Sequence, residues 1–416
     1  MTQPPSQQRV SRGVERFVDH SRLGAEIGLS HQIIEDDRFT GDTIVLHGRK
    51  VANFGLCSYL ALGDDPRVVT AAENALRRYG SAYSSSLAYT ALPLYADLTD
   101  RLQAMVGVPL VIAGTTTLAH MAALPLLVRS GDVVAVDAQA HASVQFVIPN
   151  LRALGAEVHK VVHNDLERVA DITESTGRRV WYLIDGLYSM HGDTAPAEDI
   201  VSLLDANENL WVYCDDAHGF GWAGATGEGQ FLARAGWHDR LVMSFGLSKS
   251  FGALGGVVAA RDEDLIELVR MGGGPLVFGG PIPPASLGAG IASADIHLSP
   301  ELATLQSDLM ERIDLVNRHA TAIGLPIAGN ERTPLWFVEV GQSLTSGTIV
   351  ARMLKDGFYV NVAVYPVVRA GHAGVRFTVT RYNTLAQIES MLESLHGAWL
   401  RHKDDEDVID LTVLED

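Results

Sequence analysis

From Val108 to Ala260 the chain repeats one pattern: a short apolar run, a break in small or polar residues, then a helical stretch. The runs are Val108–Ala113, Asp132–Val136, Val158–Val162, Val180–Ile184, Leu210–Cys214 and Leu241–Phe245, with Val257–Ala260 closing the series. None alternates apolar with polar residues, as a strand with one wet face would. Continuous apolar strands belong to parallel sheets covered on both faces. Strand and helix alternating over roughly 150 residues specify an α/β domain with a mostly parallel sheet.

The flanks read differently. Residues 1–12 read as disordered, and Val14–Ile34 as an amphipathic helix broken at Gly24 and Gly28. Thr43–Phe54 holds a hairpin around His47-Gly48-Arg49-Lys50. Asp65-Pro66 opens a helix running to about Tyr79, with Asp65 as N-cap, Pro66 at the first helical position and Gly80 ending it. Ser81–Ala91 is a loop of small residues, and Pro93 opens the next helix. After Pro281-Ile282-Pro283-Pro284 the texture turns α+β. A small-residue helix at Ser286–Ser293 and a long one at Glu301–Ile323 come first. Strands at Leu335–Val340, Tyr359–Val364 and Val375–Val379 follow, with helices at Ile349–Lys355 and Leu385–His396. The organisation expected is an N-terminal arm and small-domain segment over 1–55, a large domain over 56–290, a smaller C-terminal domain over 291–400 and an acidic tail over 401–416.

Charge and composition exclude several classes. The net charge is -18 and no basic stripe is visible, so nucleic acid is not an expected partner. No apolar run reaches the roughly 18 residues of a membrane span. Met1–Arg9 is polar and lacks the apolar segment of a secretory signal. Cys57 and Cys214 each sit in an apolar stretch and read as buried thiols, not a disulfide. The expected compartment is the cytoplasm.

In an open parallel sheet, functional residues gather beyond the carboxyl ends of the strands. Gly114-Thr115-Thr116-Thr117 follows the first run. Free N–H groups and hydroxyls at a helix start there suit an anion, phosphate above all, against the plainer reading of a helix cap. His141 follows the second run. Asp185 and then Ser189-Met190-His191-Gly192-Asp193 follow Ile184, and Asp215-Asp216-Ala217-His218-Gly219 follow Cys214. Lys249 follows Phe245. Among apolar neighbours its ammonium would be desolvated and its pKa pushed down toward a nucleophilic amine. Asp215, at the end of an apolar strand, must meet something positive or a donor. Metal binding by Asp215, Asp216 and His218 is the rival reading, but no second cluster has ligand spacing, so no metal is expected. Anion site, aromatic ring, carboxylate and lysine at successive strand ends make the parts list for pyridoxal 5'-phosphate, with Asp215 on the pyridine nitrogen and Lys249 as Schiff-base lysine.

At this point the chain resembles the α-oxoamine synthase family of fold-type I pyridoxal phosphate enzymes, over about Val51 to Trp399. The motifs that carry the likeness begin with Tyr59-Leu60-Ala61-Leu62, His141-Ala142-Ser143, His163-Asn164-Asp165 and Tyr188-Ser189-Met190-His191-Gly192-Asp193. Asp215-Asp216-Ala217-His218-Gly219, Ser248-Lys249-Ser250-Phe251-Gly252 and Val375-Arg376-Phe377 complete them. The resemblance implies a homodimer with the active site at the interface. It gives His141 stacking on the pyridine ring, Ser189 and His218 on the ring hydroxyl, Gly114 with Thr115 and Thr116 at the phosphate, and Arg376 on the substrate carboxylate. The implied reaction is a decarboxylative Claisen condensation of an amino acid with an acyl thioester, from coenzyme A or a carrier protein, giving an α-amino ketone. Amino transfer or Cα–Cβ cleavage on the same fold would share every ring contact and stays open, as does a catalytically dead partner subunit.

The chain departs from the family pattern at named places. Cys57 replaces an asparagine, Ser84-Ser85-Ser86-Leu87 a glycine-rich loop, and Gly279-Gly280 a Ser-Thr pair that reaches the neighbouring subunit's phosphate. Asn383 replaces a histidine, and Gly246 a phosphate-binding threonine, with Ser244 and Ser248 as the nearest hydroxyls to compensate. These lie mostly on the acyl-donor side and the subunit interface.

Overall fold

The computed structural model describes residues 18–402 apart from 20, 23 and 330. The expected disorder at 1–12 and the acidic tail past 402 lie outside the described residues. By its contacts the chain divides into two compact units, Cys57–Glu311 and Met1–Leu56 with Arg312–Asp416.

In the discontinuous unit, the helix near the start ends at Gly28 (φ +67°) instead of reaching Ile34; Leu29 N–H closes it on the Gly24 carbonyl at 2.8 Å. β1 (Thr43–Leu46) and β2 (Arg49–Asn53) form the expected antiparallel hairpin. Its turn is only His47-Gly48, with φ +50° and +71°, the mirror-type turn whose twist suits two-residue hairpins. Arg49 and Lys50 already belong to β2.

The unit Cys57–Glu311 holds seven strands: β3 (Leu110–Ala113), β4 (Val133–Asp137), β5 (Glu157–Val161), β6 (Val180–Asp185), β7 (Leu210–Asp215), β8 (Leu241–Gly246) and β9 (Gly256–Ala260). They lie in the order β3-β9-β8-β7-β6-β4-β5, and β9 alone runs against the other six. β4, β6, β8 and β9 are buried at every residue, which is why their sequences carry no alternation. One face packs Tyr182, Val212 and Met243 into one core, and the other packs Leu183, Tyr213 and Val242 into a second. Fully burying each such side chain contributes roughly 1.5–3 kcal/mol, so the sheet centre is the rigid part of this unit. β5 is the exception: at the edge only its Val161 is buried, and Val162, expected as its last residue, falls beyond it at 69% exposure.

The helix Pro284–His297 packs on Pro66–Tyr79, whose Asp65 cap accepts from Arg67 N–H as expected. Gly288 permits the contact, since a Cβ there would come within 2.5 Å of the Ala71 carbonyl oxygen. Residues 291–311 group with the large unit, and the division of the two units falls between Glu311 and Arg312.

The remaining strands belong to the discontinuous unit: β10 (Leu335–Gly341), β11 (Phe358–Tyr359), β12 (Asn361–Ala363) and β13 (Ala373–Thr378). The single strand expected at Tyr359–Val364 is split between two sheets: β11 extends the β1–β2 hairpin, while β12 joins β13 in the order β10-β13-β12. The helix expected from Ile349 begins at Ser343, and inside it Ser346 and Thr348 donate their hydroxyls to the carbonyls of Gln342 and Leu344. The last helix runs to His402, past the expected His396.

Candidate active site

β6 and β7 end side by side in carboxylates, Asp185 opposite Asp215, and Ser244 of β8 is in register with Asp215. Asp185 and Asp215 are nearly sealed from solvent. Beyond Gly246 the chain makes a tight loop: Leu247 N–H reaches the Gly255 carbonyl at 3.0 Å, and Gly252 N–H reaches that of Lys249 at 3.1 Å. Gly252 (φ +70°) is required, because a Cβ would stand 2.7 Å from the Gly63 nitrogen. The loop presents Lys249 half-buried beside an exposed Ser248, more open than its apolar neighbours in sequence suggest. Lys249, His141 and Asp215 are within electrostatic reach of one another.

Asp215 has two defined partners. Its Oδ1 accepts from Ala217 N–H at 3.1 Å, and its Oδ2 meets His120 Nε2 at 3.0 Å. His120 is fully buried in the helix Thr116–Leu127, and its Nδ1 lies 2.8 Å from the Tyr213 hydroxyl. Burial by itself would raise the Asp215 carboxyl; His120, with Lys249 and His141, overcomes it and holds the group well below the ordinary carboxylate range. Asp185 goes the other way: burial, then the charge of Asp215, push it well up, while one oxygen accepts from His141 N–H at 3.0 Å. The environment thus pushes two neighbouring carboxyls in opposite directions.

The other expected residues fall around this centre. His218 Nδ1 pairs with the buried Tyr59 hydroxyl at 2.7 Å, and its carbonyl accepts from Trp222 Nε1 at 2.7 Å. His141 caps the short helix Ala142–Gln145; its Nδ1 lies 2.6 Å from the Ser143 hydroxyl, and the residue is exposed, so a flat ring can lie over the imidazole. Ser189 lies half-buried in a turn closed by the Leu187–Thr194 bridge. Thr115 is the N-cap of Thr116–Leu127, its hydroxyl accepting from Leu118 N–H at 3.2 Å. A Cβ on Gly246 would meet Thr116 Oγ1 at 3.1 Å and Ala217 Cβ at 3.0 Å. Asp216 serves the fold. Its Oδ2 accepts from Phe231 N–H at 3.0 Å, in a space kept open by Gly186 and Gly219; burial raises it to about 7. Asp215, Asp216 and His218 therefore serve three different partners, and among the described residues no group of three or more His, Cys, Asp or Glu could hold a metal ion.

Arg376 and Asn383 belong to the other unit. Arg376 is buried on β13, the middle strand of its sheet, with Nη1 3.4 Å from Asn361 Oδ1. Asn383, where a histidine was expected by resemblance, is a buried staple: Nδ2 donates to the Asn53 carbonyl at 2.9 Å and Oδ1 accepts from Thr380 N–H at 2.9 Å.

The site residues that sequence reasoning passed over are His120, Tyr59 and Asp185 as the raised carboxyl beside Asp215. His120 left one signal, a polar residue inside the otherwise apolar stretch Leu118–Val128.

This is the site of a fold-type I enzyme that carries a pyridine cofactor. The sequence matches the family Aminotransferase class I and II over residues 50–395. It is 32% identical to the 8-amino-7-oxononanoate synthase of Maricaulis maris (strain MCS10), covering 92% of this chain and 96% of that protein. It is 31% identical to the 8-amino-7-oxononanoate synthase of Symbiobacterium thermophilum, covering 84% of this chain and 88% of that protein. A serine palmitoyltransferase from S. paucimobilis, solved with bound PLP and myriocin, superposes with a TM-score of 0.86 over 95% of this chain and 99% of that one, at 21% identity. The chain belongs to the class I and II aminotransferase family and, within it, to the α-oxoamine synthases, which use pyridoxal 5'-phosphate. The residues present fit that cofactor. Asp215 is ionised at the mouth of the sheet, His141 offers an exposed ring, and glycines at 246 and 256 keep side chains away from the helix start at Thr116. A Cβ on Gly256 would lie 2.4 Å from Thr116 N.

Proposed function

We propose that this chain is a pyridoxal-phosphate-dependent acyltransferase that joins an amino acid to an acyl group delivered as a thioester, releasing CO₂ and a thiol and leaving an α-amino ketone. The observation that carries the reading is Lys249, beyond β8, set within electrostatic reach of an ionised Asp215 at the end of β7 and of His141 beyond β4. Bound at these residues, the cofactor supplies an electron sink for the pair left at the amino acid's Cα.

The chain's own residues do the rest. Lys249 holds the cofactor through Nζ and, once released from it, takes the Cα proton and later returns one. Asp215 keeps the ring nitrogen protonated, which its held charge allows. His141 lies against the ring and fixes its plane. His218, oriented by Tyr59, and Ser189 meet the ring hydroxyl. The start of helix Thr116–Leu127, with Gly114, Thr115 and Thr116, takes the phosphate, and Ser244 stands in the strand that leads to it. Arg376 takes the substrate carboxylate, for which its planar fork is suited. The protein works as a cytoplasmic homodimer with the site at the subunit interface. No described helix is long and apolar enough to cross a membrane.

The test is mass spectrometry of products from the purified holoenzyme, given a panel of amino acids with acyl-CoA, with acyl-carrier protein, or with neither. Thioester-dependent CO₂ release and a product of amino-ketone mass are expected. Keto acid formed without thioester, or an aldehyde from Cα–Cβ cleavage, would overturn the reading in favour of another reaction on the same fold.

A further inference from the structure

Asp215 is the group whose charge the proposed chemistry depends on, and two buried carboxyls compete to carry it. Asp185 and Asp215 end adjacent strands in direct register, both in surroundings that disfavour charge. Their hydrogen bonds are unequal. Asp185 accepts a backbone N–H from His141, whereas Asp215 accepts one from Ala217 and meets a buried imidazole as well. That imidazole is His120, with no solvent exposure, reached from the middle of a helix 95 positions earlier in the chain.

The tautomer follows from the third member. Burial pushes the Tyr213 hydroxyl well above its ordinary range, so it stays protonated and can donate. With Tyr213 O–H donating to His120 Nδ1 at 2.8 Å, Nε2 carries the N–H that faces Asp215 Oδ2 at 3.0 Å.

We propose that His120, locked in this tautomer by Tyr213, is the positioning residue that selects Asp215 over Asp185 as the charged carboxylate and aims it at the cofactor's ring nitrogen. This rests on the assignment of Asp215 to that nitrogen. His120 touches neither substrate nor cofactor; it acts through the carboxylate. The titratable groups that face Asp215 are His120 from the helix, Asp185 and Asp216 from the strand ends, and His141 and Lys249 from the loops. His120 meets it directly, Nε2 to Oδ2 at 3.0 Å.

The experiment loads wild type, His120→Ala, His120→Gln, Tyr213→Phe and Asp215→Ala with pyridoxal 5'-phosphate labelled with ¹⁵N in the ring. The ring-nitrogen resonance is read from pH 6 to 9, beside steady-state kinetics. His120→Ala should move the resonance toward the unprotonated position and lower kcat by about tenfold or more, with KM for the amino acid within about twofold. His120→Gln, which keeps a donor, should recover most of both, and Tyr213→Phe should fall between. A His120→Ala protein with the wild-type resonance across the range overturns the proposal, as does a loss that His120→Gln shares in full. Asp215→Ala separates the two levels. If it leaves the resonance unmoved, the Asp215 assignment fails and the role of His120 with it. If it moves the resonance and His120→Ala does not, only the role of His120 is overturned.

Discussion

His163 stands between two carboxylates, with Nδ1 3.0 Å from Asp137 Oδ1 and Nε2 against Asp193. Asp137 ends β4, and Asp193 closes the turn that carries Ser189; the Tyr188 ring packs edge-on to the imidazole at 4.3 Å. Burial alone would lower its pKa. The hydrogen bonds and charges of Asp137 and Asp193 outweigh that and raise it to about 9. A folded-state pKa above the unfolded value means stability fully present below the unfolded pKa and lost as pH rises through the folded one. The window runs from pH 6.5 to about 9, and the stabilisation at stake is on the order of 3 kcal/mol. Urea midpoints for wild type should fall across that window, while those of His163→Gln should stay nearly flat and start lower. An equal fall in both proteins would assign the pH dependence to other groups.

Among the elements, the helix Thr116–Leu127 has two jobs. Its first turn faces Gly246, and its interior carries His120 to Asp215. The contact at Gly246 explains one departure from the family pattern. A side chain there and the Thr116 hydroxyl compete for one space, since a Cβ on Gly246 would meet Thr116 Oγ1 at 3.1 Å. Gly246→Thr alone should therefore weaken binding of pyridoxal 5'-phosphate to the apoprotein, measured by fluorescence titration. Combined with Thr116→Ala it should cost less than the sum of the two single changes, by about 1 kcal/mol or more. Strict additivity would mean that the two positions do not share the space. Two other departures meet through a hydrogen bond: Ser86 donates its hydroxyl to the Val277 carbonyl, two residues before Gly279. The serine loop and the segment around Gly279-Gly280 are thus anchored to each other.

At the scale of the whole molecule, the legible part was what local pattern encodes. Parallel strands buried on both faces are written as apolar runs, so their ends, and with them Asp215, His141 and Lys249, could be located from the sequence. His120 could not. Its partner lies 95 residues away, and nothing local separates a ligand of Asp215 from a histidine that fills a core. The boundary at Glu311 was hidden because the helix Pro284–His297 is tied to the large unit by tertiary packing, against Pro66–Tyr79 and Pro93–Val106, and not by a local signal. The split of β11 from β12 was hidden for the same reason, since register is a tertiary property.

The central claim is that Lys249 carries the cofactor, and one measurement addresses it without reference to substrate. The purified holoenzyme is reduced with borohydride and digested, and the peptides are sequenced by mass spectrometry. A phosphopyridoxyl group on Lys249, and its loss together with the visible absorbance band in Lys249→Ala, is the expected result. The label on another lysine, or an unchanged band in Lys249→Ala, would contradict it.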